Sequence, residues 1–354
     1  MMTGMVLTGH GGLDKLEWRE DLPIPSPAAG EVLIRVGASA VNNTDINLRT
    51  GWYSRSVRGD TASTAADRGE VELTDGGWSG AVLAFPLIQG ADCCGTIVEV
   101  GRAVDRARIG QRVLVRALQP VRAADGGWTT RTPGTDCDGA FAEYLVVDDA
   151  DALEVRSDLS DVELASFPCS YSTAEAMIQR AGLGAERVVV TGASGGVGSA
   201  AIQLAKRRRA HVTAITRADK ADALRALGAD DILERDAAFP TAAFDVAIDL
   251  AGGPRWPALI DSLRTGGRYV VSGAIAGPIV ELDLRTLYLR DLSFFGSTHQ
   301  LESVFRDLVG YIEAGEIRPV IAMTYPLREL KAAQEAFLSK QHVGKIGIDV
   351  QLTA

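Results

Sequence analysis

The stretch "RVVVTGASGGVGSAAIQLAK", residues 187–206, limits what this chain can become more than any other segment. An apolar run of strand character ends in a glycine-rich turn, and a helical pattern starts immediately behind it. Gly195 and Gly198 let the backbone turn tightly and approach a pyrophosphate. The helix start then offers unpaired N–H groups and the positive end of its dipole. A glycine pattern alone is weak evidence, but the flanking strand and helix supply the context of a dinucleotide loop. Ser194, Gly195, Gly196, Val197 and Gly198 are therefore the first candidate cofactor contacts. "GASGG" also matches the nucleophile elbow of hydrolases, which would make Ser194 catalytic. That reading leaves Gly198 unexplained and needs a late acid–histidine pair that is not evident here. The glycine pattern of short-chain dehydrogenases fits the letters too. It requires Tyr-x-x-x-Lys, and no tyrosine after this loop has a lysine four residues on. A glycine turn that binds nothing is the bland alternative.

Downstream of the loop, strand and helix signals alternate: "HVTAIT", "KADALRALGA", "DDILE", "FDVAIDLAG", "ALIDSLRTGG" and "RYVVSGA". This is the pattern of a doubly wound parallel sheet. The strand "HVTAIT" ends at Thr216, followed by Arg217 and, past a turn, Asp219 and Lys220. A chain selecting NAD usually places an acid at that strand end to hold the ribose hydroxyls. Here a 2′-phosphate meets threonine, with Arg217 and Lys220 to bind it, each exposed contact worth ~1–2 kcal/mol, or roughly ten-fold in affinity. The expected cofactor is NADPH.

The first ~150 residues read instead as short apolar strands punctuated by glycine. Residues 54–77 read as a long polar surface insertion, and "QPVRAADGGWTTRTPGTD" as a second irregular piece in which Trp128 is a candidate lid. "SDVELASFPCSYSTAEAMIQRAG" reads as a helix capped by Ser160, with Glu163 closing a capping box. The formal net charge of −10 disfavours a nucleic-acid partner, whose phosphates would call for a basic face. The start "MMTGMVLTGHGG" lacks a secretory pattern and no apolar run reaches membrane-spanning length, so the expected location is the cytoplasm. The four cysteines, Cys93, Cys94, Cys137 and Cys169, form no Cys-x-x-Cys pair and are expected to be free thiols.

"GEVLIRVGASAVNNTDINLRTGWY", "GADCCGTIVEVG", "GQRVLV", "GAFAEYLVV", the glycine loop, "FDVAIDLAGG", "FFGST" and "HVGKIGIDV" occur in an order and spacing that resemble the medium-chain dehydrogenase/reductase superfamily, nearest its zinc-independent quinone oxidoreductase branch. The resemblance implies an α/β protein. A GroES-like β-rich domain would comprise residues 1–156 and 298–354, a Rossmann domain residues 157–297, and the active site would lie in the cleft. Zinc-dependent relatives hold their metal through a cysteine, a histidine and a second cysteine. At those positions this chain has Asn42, Ala91 and Cys169, with Asp92 where the family has glutamate. One thiol cannot hold a catalytic zinc, which needs three protein ligands. Cys93 and Cys94 are strand neighbours expected on opposite faces, poorly placed to chelate one ion.

The resemblance further implies a cleft lined by Asn42, Asp45 and Tyr53. Asn42 would orient a carboxamide or substrate oxygen and Tyr53 would donate a hydrogen bond or proton. The plainer reading makes Asn42 and Asp45 turn residues. Cofactor contacts carried over in the same way are Thr173, Ser272, Gly273, Phe295, Gly296, Ser297 and Lys345, with Gly344 beside it. Family members pair their "LSFFGS" edge strands, so a homodimer is expected. Without a Lewis acid the expected reaction is NADPH-driven hydride transfer to a conjugated carbonyl, a quinone or enone, whose charge moves to a remote oxygen. The alternatives are an alcohol or aldehyde dehydrogenase using an unrecognised metal, and an NADPH-binding protein with little turnover.

Overall fold

One strand, Glu31–Val41, organises the N-terminal part of the chain, because its Val, Leu, Ile and Ala side chains are buried on both faces and only Arg35 is exposed. The computed structural model describes residues 1–67, 73–78, 82–122 and 126–352. Two compact units emerge: Met1–Val57 with Ser63–Cys169 and Leu301–Ala354, and Arg58–Ala62 with Ser170–Gln300.

In the first unit Glu31–Val41 pairs antiparallel with Cys94–Val100, Tyr144–Asp148 and Lys345–Asp349 inside a seven-stranded sheet. A strand buried on both faces tolerates this central place, whereas an alternating one would leave polar groups inside. The pairing Ile346↔Val41 sets the end of the C-terminal strand beside Asn42. Met2–Leu7, Leu16–Leu22 and Leu87–Ile88 form a second, three-stranded sheet. Its buried Met5 and Leu7 pack with Ile46, Ile348 and the buried stripe Leu330, Ala333 and Phe337 of the helix Leu330–Leu338.

The second unit is a six-stranded parallel sheet with the spatial order Asp231–Glu234, His211–Thr216, Arg187–Val190, Phe244–Asp249, Leu263–Val271, Ser293–Gly296. Strand order reverses at Arg187–Val190, so the loop after it lies at the topological switch point, where such sheets bind ligands. The fold is the α/β arrangement expected, a GroES-like β-rich unit plus a doubly wound parallel sheet.

Three local expectations are corrected. The capping box of Ser160 and Glu163 forms, but its helix is only Asp161–Leu164, and a separate helix Pro168–Arg180 follows. Pro168 has no N–H to continue the first helix, yet suits the opening turn of the second. The irregular piece after residue 118 contains a hairpin, Gln119–Arg122 against Trp128–Arg131. There Trp128 is exposed under the Arg122 guanidinium, 4.1 Å from the ring centre. The 54–77 segment is more than surface. It includes the helix Thr61–Asp67 with Thr61 and Thr64 buried, and the Thr61 N–H donates to Ile275 O at 3.1 Å. Residues 68–72 of this segment lie outside the described residues.

Candidate active site

Two clusters carry chemistry, one in each unit. In the first, the register Ile346↔Val41 delivers Lys345 into a buried polar knot. Its Nζ donates to Asn42 Oδ1 at 2.6 Å, Asp92 Oδ2 at 2.8 Å and Val41 O at 3.1 Å. Three acceptors match the three hydrogens of an ammonium. Lys345 is 3 % exposed and Asp92 fully buried, so the pair is a desolvated ion pair that depends on complete hydrogen bonding. It has that bonding: Asp92 Oδ2 also accepts Asn42 Nδ2 at 2.8 Å, and Oδ1 accepts the Cys169 N–H at 2.7 Å, in the first turn of the helix Pro168–Arg180. That helix start adds its dipole to the carboxylate's stabilisation.

The geometry corrects the role expected of Asn42. Its Nδ2 hydrogens go to Asp92 and, at 3.2 Å, to Ala40 O, and its Oδ1 takes Lys345. No amide hydrogen is left for a substrate oxygen. Asp45 is the N3 residue of the helix Asn43–Thr50, and its Oδ2 accepts the Asn42 N–H at 2.8 Å. Burial pushes its carboxyl up to about 7, against the backbone N–H groups of Asn42 and Gly90 and the Lys345 charge, which pull it down. Asp45 is thus a helix-capping group, the plainer of its two readings. Tyr53 packs on Trp52 and Trp78, with ring centres 5.6 and 5.2 Å away. Burial raises its phenol, opposed by hydrogen bonds from Asn47 and Thr44, so the hydroxyl keeps its proton. Cys169 is likewise held protonated, its thiol pushed up to about 12 by burial and then by Asp92, with Lys345 opposing. Cys93 and Cys94 are buried thiols also raised by burial, and Cys94 Sγ lies 3.5 Å from Asp161 Oδ1.

In the second unit the helix Gly196–Arg207 starts directly after Gly195. The first bond into that helix is Ser199 N to Gly195 O at 2.9 Å, so the amides of Gly196, Val197 and Gly198 have no intrahelical acceptor. A Cβ on Gly198 would fall 2.3 Å from Gly192 O and 2.5 Å from Ala193 Cα. Only glycine lets helix and loop close here, whereas a Cβ on Gly195 would meet nothing nearer than 3.5 Å, leaving its outer face open to a ligand. Asp249, unremarked in the sequence, braces the loop. Its Oδ1 accepts Thr191 Oγ1 at 2.5 Å and the Ala251 N–H at 2.9 Å, and its Oδ2 accepts Tyr269 Oη at 2.8 Å. Ser272 donates to Ser297 O at 2.6 Å, which ties the ends of the last two strands together.

At the next strand end, the buried Thr216 Oγ1 has no hydrogen-bond partner. Arg217 is paired through Nε and Nη2 with Asp219, at 3.0 and 2.7 Å. Lys220 is buried, and its ammonium is depressed by burial and then by the charges of Arg217 and Arg235, with Asp219 opposing. Arg235, which the sequence reading passed over, donates its N–H to Thr216 O at 3.0 Å. The pairing Thr216↔Glu234 gives the reason: the strand that carries Arg235 lies alongside the one that carries Thr216. Thr173 is a buried residue of the helix Pro168–Arg180, while Phe295 and Gly296 lie in the strand Ser293–Gly296. Gly273 follows Ser272 at the end of the neighbouring strand Leu263–Val271.

A β-rich unit combined with a parallel sheet and such a loop defines the class of two-unit oxidoreductases that bind a nicotinamide dinucleotide. Family comparison agrees. The alcohol dehydrogenase GroES-like domain matches residues 28–157, and the zinc-binding dehydrogenase model matches residues 227–346. A putative alcohol dehydrogenase from Sinorhizobium meliloti 1021 is 42% identical, with 98% of this chain and 96% of that one covered and a TM-score of 0.86. A cobalt- and zinc-bound thermostable alcohol dehydrogenase from Pyrobaculum aerophilum is 31% identical over 98% and 99% of the two chains, with a TM-score of 0.81. Among curated proteins, an acryloyl-coenzyme A reductase from Metallosphaera sedula is 28% identical over 98% of this chain and 99% of its own. This chain belongs to the medium-chain dehydrogenase/reductase superfamily.

The residues present fit a dinucleotide: free amides at a helix start, an open loop face and an orphaned buried hydroxyl. They do not fit the zinc that one family model's description implies. Among the described residues no group of three His, Cys, Asp or Glu is placed to hold a metal ion. The Asn42 amide is engaged, and a cation already touches Asp92.

Proposed function

We propose that the protein is an NADPH-dependent, zinc-independent reductase of conjugated carbonyl compounds: quinones, enones or α,β-unsaturated acyl thioesters. The carrying observation is the donor set around Asp92. Its one sulfur, Cys169, is held protonated, and the Asn42 amide is closed off by Lys345 and Asp92. Such a set supplies no Lewis acid to stabilise an alkoxide, so simple carbonyl reduction is disfavoured relative to conjugate addition. The relative named for acryloyl-coenzyme A acts on a conjugated thioester.

The cofactor, when bound, supplies a hydride. Gly196, Val197 and Gly198 amides would hold its pyrophosphate and Thr216, Lys220 and Arg235 the 2′-phosphate end, while Asp249 keeps the loop shaped. Charge that develops on the acceptor's oxygen needs a hydrogen-bond donor. Tyr53 supplies one: its phenol is protonated, and it is half-buried and fixed between aromatic rings. The test follows NADPH absorbance against quinones, enones, an enoyl thioester and simple aldehydes, with NADH and chelator controls. Chelator-insensitive turnover of conjugated acceptors, faster with NADPH, is expected. Activity confined to aldehydes and lost with chelator sinks the reading.

The edge strand Ser293–Gly296, preceded in the chain by Leu284, Tyr288 and Leu289, which are 66%, 61% and 68% exposed, would pair with a second copy. A monomer mass in sedimentation rejects this. All four cysteines are free, which suits a reducing cytoplasm. Among the described residues no helix is long and apolar enough to cross a membrane.

A further inference from the structure

We propose that Thr61, carried by the polar segment that follows Tyr53, binds the nicotinamide riboside half of the cofactor through its hydroxyl. The proposal rests on the dinucleotide reading above and deepens it, since the glycine loop and the Thr216 strand end provide for the pyrophosphate and the adenosine side only. Thr61 is 2 % exposed, and its Oγ1 has no hydrogen-bond partner among the described residues. A buried hydroxyl left unpaired costs stability, and valine would fill the same space without that cost. Sealing the fold therefore gives no reason for threonine here, whereas a polar ligand does.

The position of Thr61 says which ligand. Residues Arg58–Ala62 belong to the parallel-sheet unit, although the chain on either side of them belongs to the β-rich one. The Thr61 N–H is fixed on Ile275 O at 3.1 Å. Ile275 lies just past the carboxyl end of the strand Leu263–Val271, in a rim built from two loops. Ala276 N–H donates to Ala251 O at 2.8 Å and Gly253 N–H to Gly277 O at 3.0 Å, while Asp249 Oδ1 holds the Ala251 and Gly252 amides. This rim adjoins the glycine loop: a Cβ on Gly192 would lie 3.3 Å from Leu250 Cβ, and one on Gly273 would lie 3.2 Å from Leu250 O. In the sheet, His211–Thr216 flanks Arg187–Val190 on one side, and Phe244–Asp249 followed by Leu263–Val271 lie on the other. A dinucleotide spans the carboxyl ends of such strands across the switch point. With its pyrophosphate on the glycine loop and its adenosine at Thr216, its nicotinamide riboside lies over the rim on which Thr61 is seated. The carboxamide and ribose hydroxyls of that half are the groups a threonine hydroxyl can pair with.

The test compares the native protein with Thr61→Val, which keeps the shape and removes the hydroxyl, and with Thr61→Ser, which keeps the hydroxyl. Isothermal titration measures NADPH against 2′,5′-ADP, which lacks the nicotinamide riboside, and NADH against ADP in parallel. Thermal unfolding is followed without ligand. Thr61→Val is expected to bind the dinucleotide about ten-fold more weakly, to bind the adenosine fragment as the native protein does, and to melt at the same or a higher temperature. Thr61→Ser should bind the dinucleotide close to native. Unchanged dinucleotide affinity in Thr61→Val overturns the inference, and so does an equal loss for dinucleotide and fragment. A lower melting temperature in Thr61→Val also overturns it, because the hydroxyl then serves the fold. These three outcomes leave the dinucleotide reading intact. A native protein that binds none of the four ligands overturns that reading together with the inference. Should Thr61→Val fail to accumulate, Thr61→Ala carries the same comparison of dinucleotide with fragment.

Discussion

Replacing Asp45 by asparagine should remove a pH dependence from the stability of the first unit. The Asp45 carboxyl is raised from the usual 3.8 to about 7 by burial in the folded chain. The folded state therefore keeps a proton that the unfolded chain releases once pH passes about 4. Its contribution to stability is full below that point, declines as pH climbs to about 7, and stays lost above it. At ~1.4 kcal/mol per pH unit the span corresponds to about 4 kcal/mol. The asparagine side chain would be neutral throughout, so the difference in unfolding free energy between variant and native protein should grow by about this amount between pH 4 and pH 8. The new amide also faces the Gly90 N–H, which now donates to the carboxyl, and that mismatch costs a pH-independent amount of about 1–3 kcal/mol. It moves the whole difference curve and leaves its slope alone. Asp151, lifted to about 6 chiefly by burial, titrates in the same window in both proteins and cancels. Urea unfolding followed by tryptophan fluorescence across this range gives the curve. A flat difference, or one that falls with pH, refutes the reasoning.

Two further outcomes concern the cofactor unit. Gly198→Ala places a methyl 2.3 Å from the Gly192 carbonyl, a backbone atom that cannot swing aside. It should lower stability by about 1–3 kcal/mol and weaken NADPH and NADH alike in equilibrium binding; unchanged binding would mean that the loop does not hold the pyrophosphate. Arg235→Ala should raise the NADPH dissociation constant about ten-fold while leaving NADH untouched. Equal losses for both cofactors would remove Arg235 from the 2′-phosphate end.

The parts legible in the sequence are those encoded over short distances. The glycine loop is one contiguous strand, turn and helix, and the strand behind "FFGST" declares itself by its own apolar run. Lys345 is the opposite case. From the sequence it reads as a cofactor contact, and the structure engages its three hydrogens with Val41, Asn42 and Asp92. No local pattern announces that, because a pairing between strands far apart in the sequence sets it. Arg235 and Asp249 escaped notice for the same reason. Their meaning comes from the neighbouring strand, one beside Thr216 and the other across from Thr191. The break before Pro168 was readable from the proline itself.

The C-terminal strand Lys345–Asp349 lies inside the first unit's sheet, between Glu31–Val41 and the edge strand Ile321–Pro326. During synthesis the parallel-sheet unit, complete by residue 300, leaves the ribosome while the β-rich unit still lacks this strand. Until Lys345 emerges, Asp92 has no ammonium to accompany it inside, and burying it alone is unfavourable. A chain that ends before Lys345 would have to close this sheet over a carboxylate that has no ammonium beside it.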